Sequence, residues 1–279
     1  MSVFDFSDYG ALLGLVTNSL IAGALLGVVG GLVGFFVMAR DLPFAVHGIS
    51  ELSFAGAAGA LLLGADVVVG SVVGSIVAAL LIGLLGVRAR ERNSVIGVLM
   101  PFGLGLGILF LALYPGRSAN RFGLLTGQVV SVDGPQVLVL IGVSLVVLVT
   151  LLLIWRPLLF ASVDEEVAIA RGVPTRALSM LFMVLLALTV SVAVQTVGAL
   201  LVLALLVTPA AAALRVASGP LAVSLLSMLF ATVSVVGGIL LALGAAIPIS
   251  PYVTTISFLI YLVCRIAGGR RSARVRSAA

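Results

Sequence analysis

The sequence is poor in charge, cysteine and histidine. Only 9% of its 279 residues are charged and 62% are hydrophobic, whereas about a quarter of the residues of ordinary soluble domains are charged. A soluble protein of this length could not cover itself with so little polar surface, so the chain is an integral membrane protein. The single cysteine, Cys264, excludes an internal disulfide and a cysteine cluster for a metal. The acidic segment 1–10 lacks the basic flank of a cleaved signal peptide.

The residue sets that enzymes use are also missing. With one histidine, His47, the chain has neither a Ser-His-Asp triad nor a zinc-protease motif. The glycines of segment 103–107 follow no strand and lie in an apolar run, so they are not a phosphate loop. We therefore expect no enzyme, and ATP hydrolysis would need a separate subunit. The net charge of +5 does not imply nucleic acid.

Long apolar runs predict an all-α, polytopic membrane helix bundle of about nine transmembrane helices, with eight or ten as alternatives. A spanning helix needs roughly 20 residues. The nine segments are 11–38, 44–63, 66–87, 95–113, 135–155, 177–197, 198–216, 220–243 and 251–268. The count depends on a very short turn at 63–66 and on a division at 197–199.

Arginine placement predicts an N-terminus outside and a C-terminus inside. With loop 156–176 in the cytoplasm, all but two of the fifteen basic residues, which are all arginine, lie inside, as the positive-inside rule requires. Loop 114–134 is then external. The basic tail, 269–279, becomes a cytoplasmic anchor beside anionic lipid, with a regulatory or partner-binding role as the alternative.

Glycines spaced four apart predict close helix packing, because they let two backbones approach each other in lipid. Such pairs include Gly23/Gly27, Gly30/Gly34 and Gly70/Gly74.

His47 and Glu51 form a candidate polar pair, since residues four apart share one helix face. Glu51 is the only acidic residue well inside an apolar segment, where an ionisable group is a functional candidate. Imidazole and carboxylate both suit Zn²⁺ or Mn²⁺. Equally, a His–Glu hydrogen bond could only tether the helix end. Ser50 adds an oxygen, although serines in membrane helices commonly bond to their own backbone.

Gln195 and Pro209 are the polar and helix-breaking residues of the sixth and seventh segments. Gln195 either caps the break between these segments or lines a path. A broken helix is tolerated where its backbone faces protein or a cavity, which fits a transporter.

Loop 156–176 predicts a short helix of about two turns. This helix would begin with Asp164, Glu165 and Glu166, because negative charge is favoured at the N-terminus of a helix. Arg171 lies at its end, Gly172 supplies a stop and Pro174 prevents continuation. Such a charged helix is either a plain connector or a docking surface.

Three stretches resemble the membrane permease subunits of bacterial ABC importers for zinc, manganese and related metal ions. Segment 164–213 resembles that family's most characteristic region. Segment 121–133, RFGLLTGQVVSVD, resembles its external loop and short interfacial helix. Segment 47–56, HGISELSFAG, aligns with the pattern Asp-Ala-x-Ser-His-Ala-x-x-Pro-Gly. The resemblance covers nearly the whole chain.

The chain departs from this family at its polar motif. His47 stands at the family's Asp and Glu51 at its His, with Ser50 kept. The pair is still one imidazole and one carboxylate, in exchanged order. Ala55 replaces a proline, and Ala246 stands where an aspartate is common. The resemblance therefore implies His47 and Glu51 as metal-path residues and implies no counterpart at 246.

The resemblance further implies one permease domain over 1–268, in a multi-pass protein of the bacterial cytoplasmic membrane. It implies a homodimer, a cytoplasmic ATPase subunit and an extracytoplasmic metal-binding protein that delivers Zn²⁺ or Mn²⁺. The metal ion is cargo rather than a permanent cofactor, and ATP belongs to the partner subunit. The residues implied in coupling to the ATPase are Asp164, Glu165, Glu166, Ala170, Arg171 and Gly172.

Two other classes of function stay open. A permease-like scaffold or export component that has lost metal transport is favoured by the exchanged pair and by Ala246. A proton-coupled carrier working alone is disfavoured, because intramembrane acids are scarce. Between the two ions, the lone histidine and the absence of a cysteine cluster favour harder ligands.

Overall fold

The structure is a computed structural model that describes residues 14, 16–86, 89–116, 134–243 and 249–277. Within these ranges the regular elements are helices, and none is a strand. The helices are α1 (Thr17–Ala39), α2 (Pro43–Leu62), α3 (Val67–Leu85), α4 (Ala89–Leu113), α5 (Gly134–Leu153), α6 (Trp155–Val163), α7 (Glu165–Ala170), α8 (Thr175–Val197), α9 (Ala199–Val216), α10 (Pro220–Leu243) and α11 (Ile249–Ser277).

Eight of the described helices are long and apolar enough to cross a membrane, namely α1–α5, α8, α10 and α11. Helix α9 corresponds to the remaining predicted segment, 198–216. Its 18 residues make it about 27 Å long, close to the thickness of a hydrocarbon core. The predicted all-α bundle of about nine helices is confirmed, whereas the sidedness of the termini stays a prediction.

The two uncertain boundaries lie where the sequence placed them. Between α2 and α3 the chain turns within Leu63–Asp66, where Gly64 has φ +68°. The Asp66 carboxylate accepts a hydrogen bond of 2.9 Å from the Val69 amide and so caps α3. Between α8 and α9, Gly198 has φ +86°, a conformation that residues with a Cβ rarely adopt. Both predicted divisions are confirmed.

Helices extend beyond the predicted apolar segments in three places. Helix α4 begins at Ala89 rather than at 95, α6 occupies the start of the predicted loop 156–176, and α11 continues to Ser277 in the basic tail. The apolar pattern marks only the part of a helix that lipid or protein covers. Arginine, glutamate and alanine continue a helix equally well outside it. The predicted interfacial helix, residues 124–130, lies outside the described residues.

The chain divides into two compact units. The first comprises Met1–Met38, Val129–Val137 and Leu203–Ala279, and it contains α1, α10, α11 and most of α9. The second comprises Ala39–Gln128 and Leu138–Val202, and it contains α2–α4, α6–α8 and most of α5. The candidate site residues His47, Glu51, Gln195 and 164–172 belong to the second unit.

In the first unit, glycines bring α1 against the backbone of α10. A Cβ built on Gly27 would lie 2.5 Å from the Thr232 Cα, and one on Gly31 would lie 2.5 Å from the Met228 Cα. The Ser227 hydroxyl donates a 2.7 Å hydrogen bond to the Gly31 carbonyl. Close packing along the glycines of α1 is therefore confirmed.

In the second unit, α2 packs between α3 and α4 and also contacts α8. A Cβ on Gly56 would overlap the Gly70 carbonyl, and one on Gly74 would overlap the Leu52 carbonyl. On the other side, a Cβ on Gly103 of α4 would lie 3.0 Å from the Glu51 carbonyl carbon. The predicted close approach at Gly70/Gly74 is confirmed, and α2 is enclosed by backbone on two sides.

Because the backbones of α2 and α3 are in contact at Gly56, adding one methyl group there should destabilise the protein. Gly56→Ala should lower the thermal midpoint of the purified protein in detergent, because overpacking costs roughly 1–3 kcal/mol. Gly97→Ala in α4 is the matched control, since nothing lies within 4 Å of a Cβ there. Equal midpoints for the two variants would contradict the close packing of α2 on α3.

Candidate functional site

His47 and Glu51 lie on one face of α2, one turn apart. The His47 Nε2 atom is 3.5 Å from the Glu51 Oε1 atom, longer than the usual hydrogen bond of about 2.7–3.2 Å. The Glu51 side chain is 4% exposed and that of His47 is 28% exposed. His47 is therefore the more accessible member of the pair, and Glu51 is buried.

This geometry suits a shared divalent ion. Zinc binds nitrogen and oxygen ligands at about 2.0–2.2 Å, so two atoms 3.5 Å apart would meet at one ion with an angle of about 110°. The His47 Nδ1 atom is buried and has no hydrogen-bond partner in the described part of the chain. A purely structural tether would be expected to fix this ring with a closer hydrogen bond.

The pair does not form a closed metal site. Among the described residues, no group of three His, Cys, Asp or Glu side chains could hold a metal ion. One imidazole and one carboxylate supply two of the four or more ligands that a tightly bound ion takes. Within this part of the chain, the pair therefore offers an ion two side-chain ligands.

The position of Glu51 is set by backbone contacts rather than by charge partners. Pro43 at the first turn starts α2, and Glu51 lies in its third turn, buried to 3% exposure. Gly103 brings α4 against its backbone, and Gly48 lies beside Ile82 and Ile96. A carboxylate held in this way inside an apolar bundle is costly and is a functional candidate by default.

The serines of α2 bond to protein groups. The Ser50 hydroxyl donates to the His47 carbonyl at 2.8 Å, the back-bonding expected from sequence. The Ser53 and Ser71 hydroxyls are 2.7 Å apart, and Ser71 donates to the Ser191 carbonyl at 3.3 Å. This serine link joins α2, α3 and α8. It was not predicted from the sequence, in which the one available signal was the presence of small polar residues in apolar helices.

Gln195 lies near the end of α8 and Pro209 lies inside α9. The Gln195 Nε2 atom is buried and has no hydrogen-bond partner among the described residues, so this nitrogen does not cap the end of α8. The Gly198 amide instead donates to the Val194 carbonyl. Helix α9 continues through Pro209, so no break is seen there.

The short helix α7 has the predicted caps. The Asp164 carboxylate accepts a 2.9 Å hydrogen bond from the Val167 amide, Glu165 and Glu166 occupy the first turn, and Gly172 ends the turn with φ +79°. The helix from 165 to 170 is thus confirmed. Sequence reasoning missed its two exposed apolar side chains, Val167 at 44% and Ile169 at 57% exposure.

Comparison with known proteins gives consistent matches over most of the chain. Residues 13–268 match the ABC 3 transport family. The manganese transport system membrane protein MntC of Halalkalibacterium halodurans is 32% identical over 80% of this chain and 76% of its own. The manganese import system permease protein ScaB of Streptococcus parasanguinis is 29% identical over 88% of each chain.

A solved structure has the same fold. It is described as PsaBC from Streptococcus pneumoniae in complex with Fab, and one of its chains superposes with a TM-score of 0.83 at 27% identity. The match covers 93% of this chain and 95% of that one.

The cap of α7 predicts a local effect of Asp164→Ala. Loss of an N-cap costs about 1 kcal/mol, so amide hydrogen exchange over residues 165–170 should accelerate about fivefold. Asp66→Ala, which removes the equivalent cap of α3, is the matched control and should leave exchange in α7 unchanged. Unchanged exchange in Asp164→Ala would show that the cap does not stabilise α7.

Proposed function

Because the chain belongs to the ABC 3 transport family, we propose that it is the permease subunit of an ATP-driven importer whose cargo is a divalent metal ion. The observation that carries this proposal is the similarity to manganese permeases over four fifths or more of the chain. This similarity supports Mn²⁺ more directly than Zn²⁺ as the cargo. The chain itself is a transport component rather than an enzyme, and a partner subunit hydrolyses ATP.

His47 and Glu51 are the proposed polar step for the ion. Mn²⁺ accepts both imidazole and carboxylate ligands, and the two atoms are spaced to contact one ion. A site with few ligands suits transport, because an ion must leave as readily as it enters. The exchanged order of the two residues keeps the same ligand set on the same helix face.

The proposed coupling element is α7, with the residues Asp164, Glu165, Glu166, Ala170, Arg171 and Gly172 at and around it. Val167 and Ile169 expose apolar surface on a helix that also carries two acids in its first turn. Apolar side chains on a charged helix are typical of a protein interface. The ATPase subunit would dock here and drive a rigid-body rocking of the helices.

The assembly would be a homodimer of this chain with its ATPase and an extracytoplasmic metal-binding protein. Two ligands of common types discriminate weakly between Mn²⁺ and Zn²⁺. We therefore assign the choice of ion to the delivery protein and the passage of the ion to this chain.

Removal of the polar pair should abolish most uptake. His47→Ala and Glu51→Gln, expressed with the ATPase, should lower uptake of radioactive Mn²⁺ into cells at least about tenfold, because each variant deletes one of two ligands. Glu91→Gln, which changes an exposed acid at the start of α4, is the control. All variants should still co-purify with the ATPase.

Two outcomes would contradict this function. Uptake at the wild-type rate in the combined variant His47→Ala/Glu51→Gln would show that the pair is not part of the ion path. A wild-type protein that moves neither Mn²⁺ nor Zn²⁺ would favour the alternative, a permease-like scaffold or export component.

The exposed apolar surface of α7 gives a separate test of the ATPase interface. Ile169→Asp should weaken binding of the ATPase subunit about thirtyfold, the effect of removing a central apolar anchor worth about 2 kcal/mol. Co-purification in detergent measures this. Arg156→Met on the neighbouring α6, an exposed position, should leave co-purification unchanged, and full binding by Ile169→Asp would exclude α7 as the docking helix.

A further inference from the structure

Arg40 lies in the three-residue connection between α1 and α2. It is followed by Asp41, whose φ of +54° turns the chain, and by the buried Leu42. Helix α2 then begins at Pro43 and carries His47 in its second turn. Arg40 is therefore joined to the polar pair by a short and tightly turned stretch of chain.

The Arg40 guanidinium bonds to both sides of the coupling helix. One nitrogen donates to the Ser162 hydroxyl at 3.1 Å, and another donates to the Ser179 hydroxyl. Ser162 lies near the end of α6, two residues before the cap of α7, and Ser179 lies in the second turn of α8. The guanidinium thus joins the helix that enters α7 to the helix that leaves it.

Packing and hydrogen bonds hold these groups in place. The Ser162 hydroxyl donates its own proton to the Leu158 carbonyl at 2.6 Å, which leaves its oxygen free to accept from Arg40. The Arg40 guanidinium carbon lies 5.9 Å from the centre of the fully buried Phe182 ring, within the range of a cation–π contact. The guanidinium is a planar fork, with five N–H donors in fixed directions, so it can bond to two hydroxyls at once. The ammonium group of a lysine suits this arrangement less well.

The charges around Arg40 include the first residue of α7. Burial lowers the pKa of the Arg40 guanidinium, the negative charge of Glu165 raises it, and the positive charge of Arg92 lowers it. The group stays protonated at physiological pH, since an arginine cannot be deprotonated in this range. Arg92 donates a long hydrogen bond of 3.5 Å to the Asp41 carbonyl in the same connection.

We propose that Arg40 is a positioning residue that makes α2, with His47 and Glu51, follow the movement of α6–α8 when the ATPase drives α7. This inference rests on the proposed function, because it assumes that α7 receives the motion. The fork between Ser162 and Ser179 is the physical link, and the turn at Asp41 carries the displacement into α2.

The test measures coupling in vesicles that contain the full transporter with its ATPase. Arg40→Met should lower the number of Mn²⁺ ions moved per ATP hydrolysed about tenfold, while assembly and ATP hydrolysis persist. Arg40→Lys keeps the charge but not the fork and should be impaired too. The double variant Ser162→Ala/Ser179→Ala removes both acceptors and should reproduce the effect with Arg40 intact. Arg156→Met, which removes an exposed arginine of α6, is the matched control.

A second measurement does not depend on the cargo. Spin labels at Phe44→Cys in α2 and Val163→Cys in α6, both exposed positions, with Cys264→Ala, report the distance between these helices. In the wild-type background this distance should stay the same with and without ATP, because the helices move together. With Arg40→Met it should broaden or shift on ATP addition.

Each outcome decides the proposal. A wild-type ion-to-ATP ratio in Arg40→Met, or an unchanged label distance in that variant, would overturn it. Loss of assembly in Arg40→Met, Arg40→Lys and the double serine variant alike would make the fork a purely structural contact and would also overturn it. Absence of metal uptake by the wild-type protein would instead contradict the proposed function, while the label distances would still test the link.

Discussion

The second unit depends on one constraint, which is that α2 must hold a carboxylate inside an apolar bundle. Charge pairing contributes little to this, because the ion pair of Glu51 among the described residues is with an imidazole 3.5 Å away. The carboxylate is held instead by the backbone, which Gly56, Gly74 and Gly103 let approach from two sides. Contacts between backbones have no rotamers to rearrange, so the polar pair occupies a defined place without the ligand set of a tight metal site.

Much of the helical fold could be predicted from the sequence, since hydropathy depends on the membrane rather than on tertiary detail. The divisions at 63–66 and 197–199 and the caps of α7 were predictable because glycine, proline and aspartate act locally. Hydropathy did not predict the polar ends of α4 and α11 or the whole of α6. An apolar pattern indicates only which residues are covered by lipid or protein, and these segments are helical without such cover.

The candidate site was predictable in part. The i, i+4 spacing placed His47 and Glu51 on one face, and the structure has them there. The link from Arg40 to Ser162 and Ser179 bridges 122 and 139 residues of sequence, and no local pattern reveals such a contact. Gln195 shows the same limit, because its neighbours in sequence suggested a cap that its side-chain nitrogen does not make.

The four-residue turn at Leu63–Asp66 bears on how the chain enters the bilayer during synthesis. Helix α2 is the least apolar of the eight candidate spans, and a buried acid and a histidine oppose its insertion alone. Its neighbour α3 is among the most apolar and follows almost at once. We therefore expect the translocon to release the two as a helical hairpin, already joined along Gly56, Gly70 and Gly74. The glycines that position the polar pair in the folded protein would then also allow α2 to enter the bilayer together with α3.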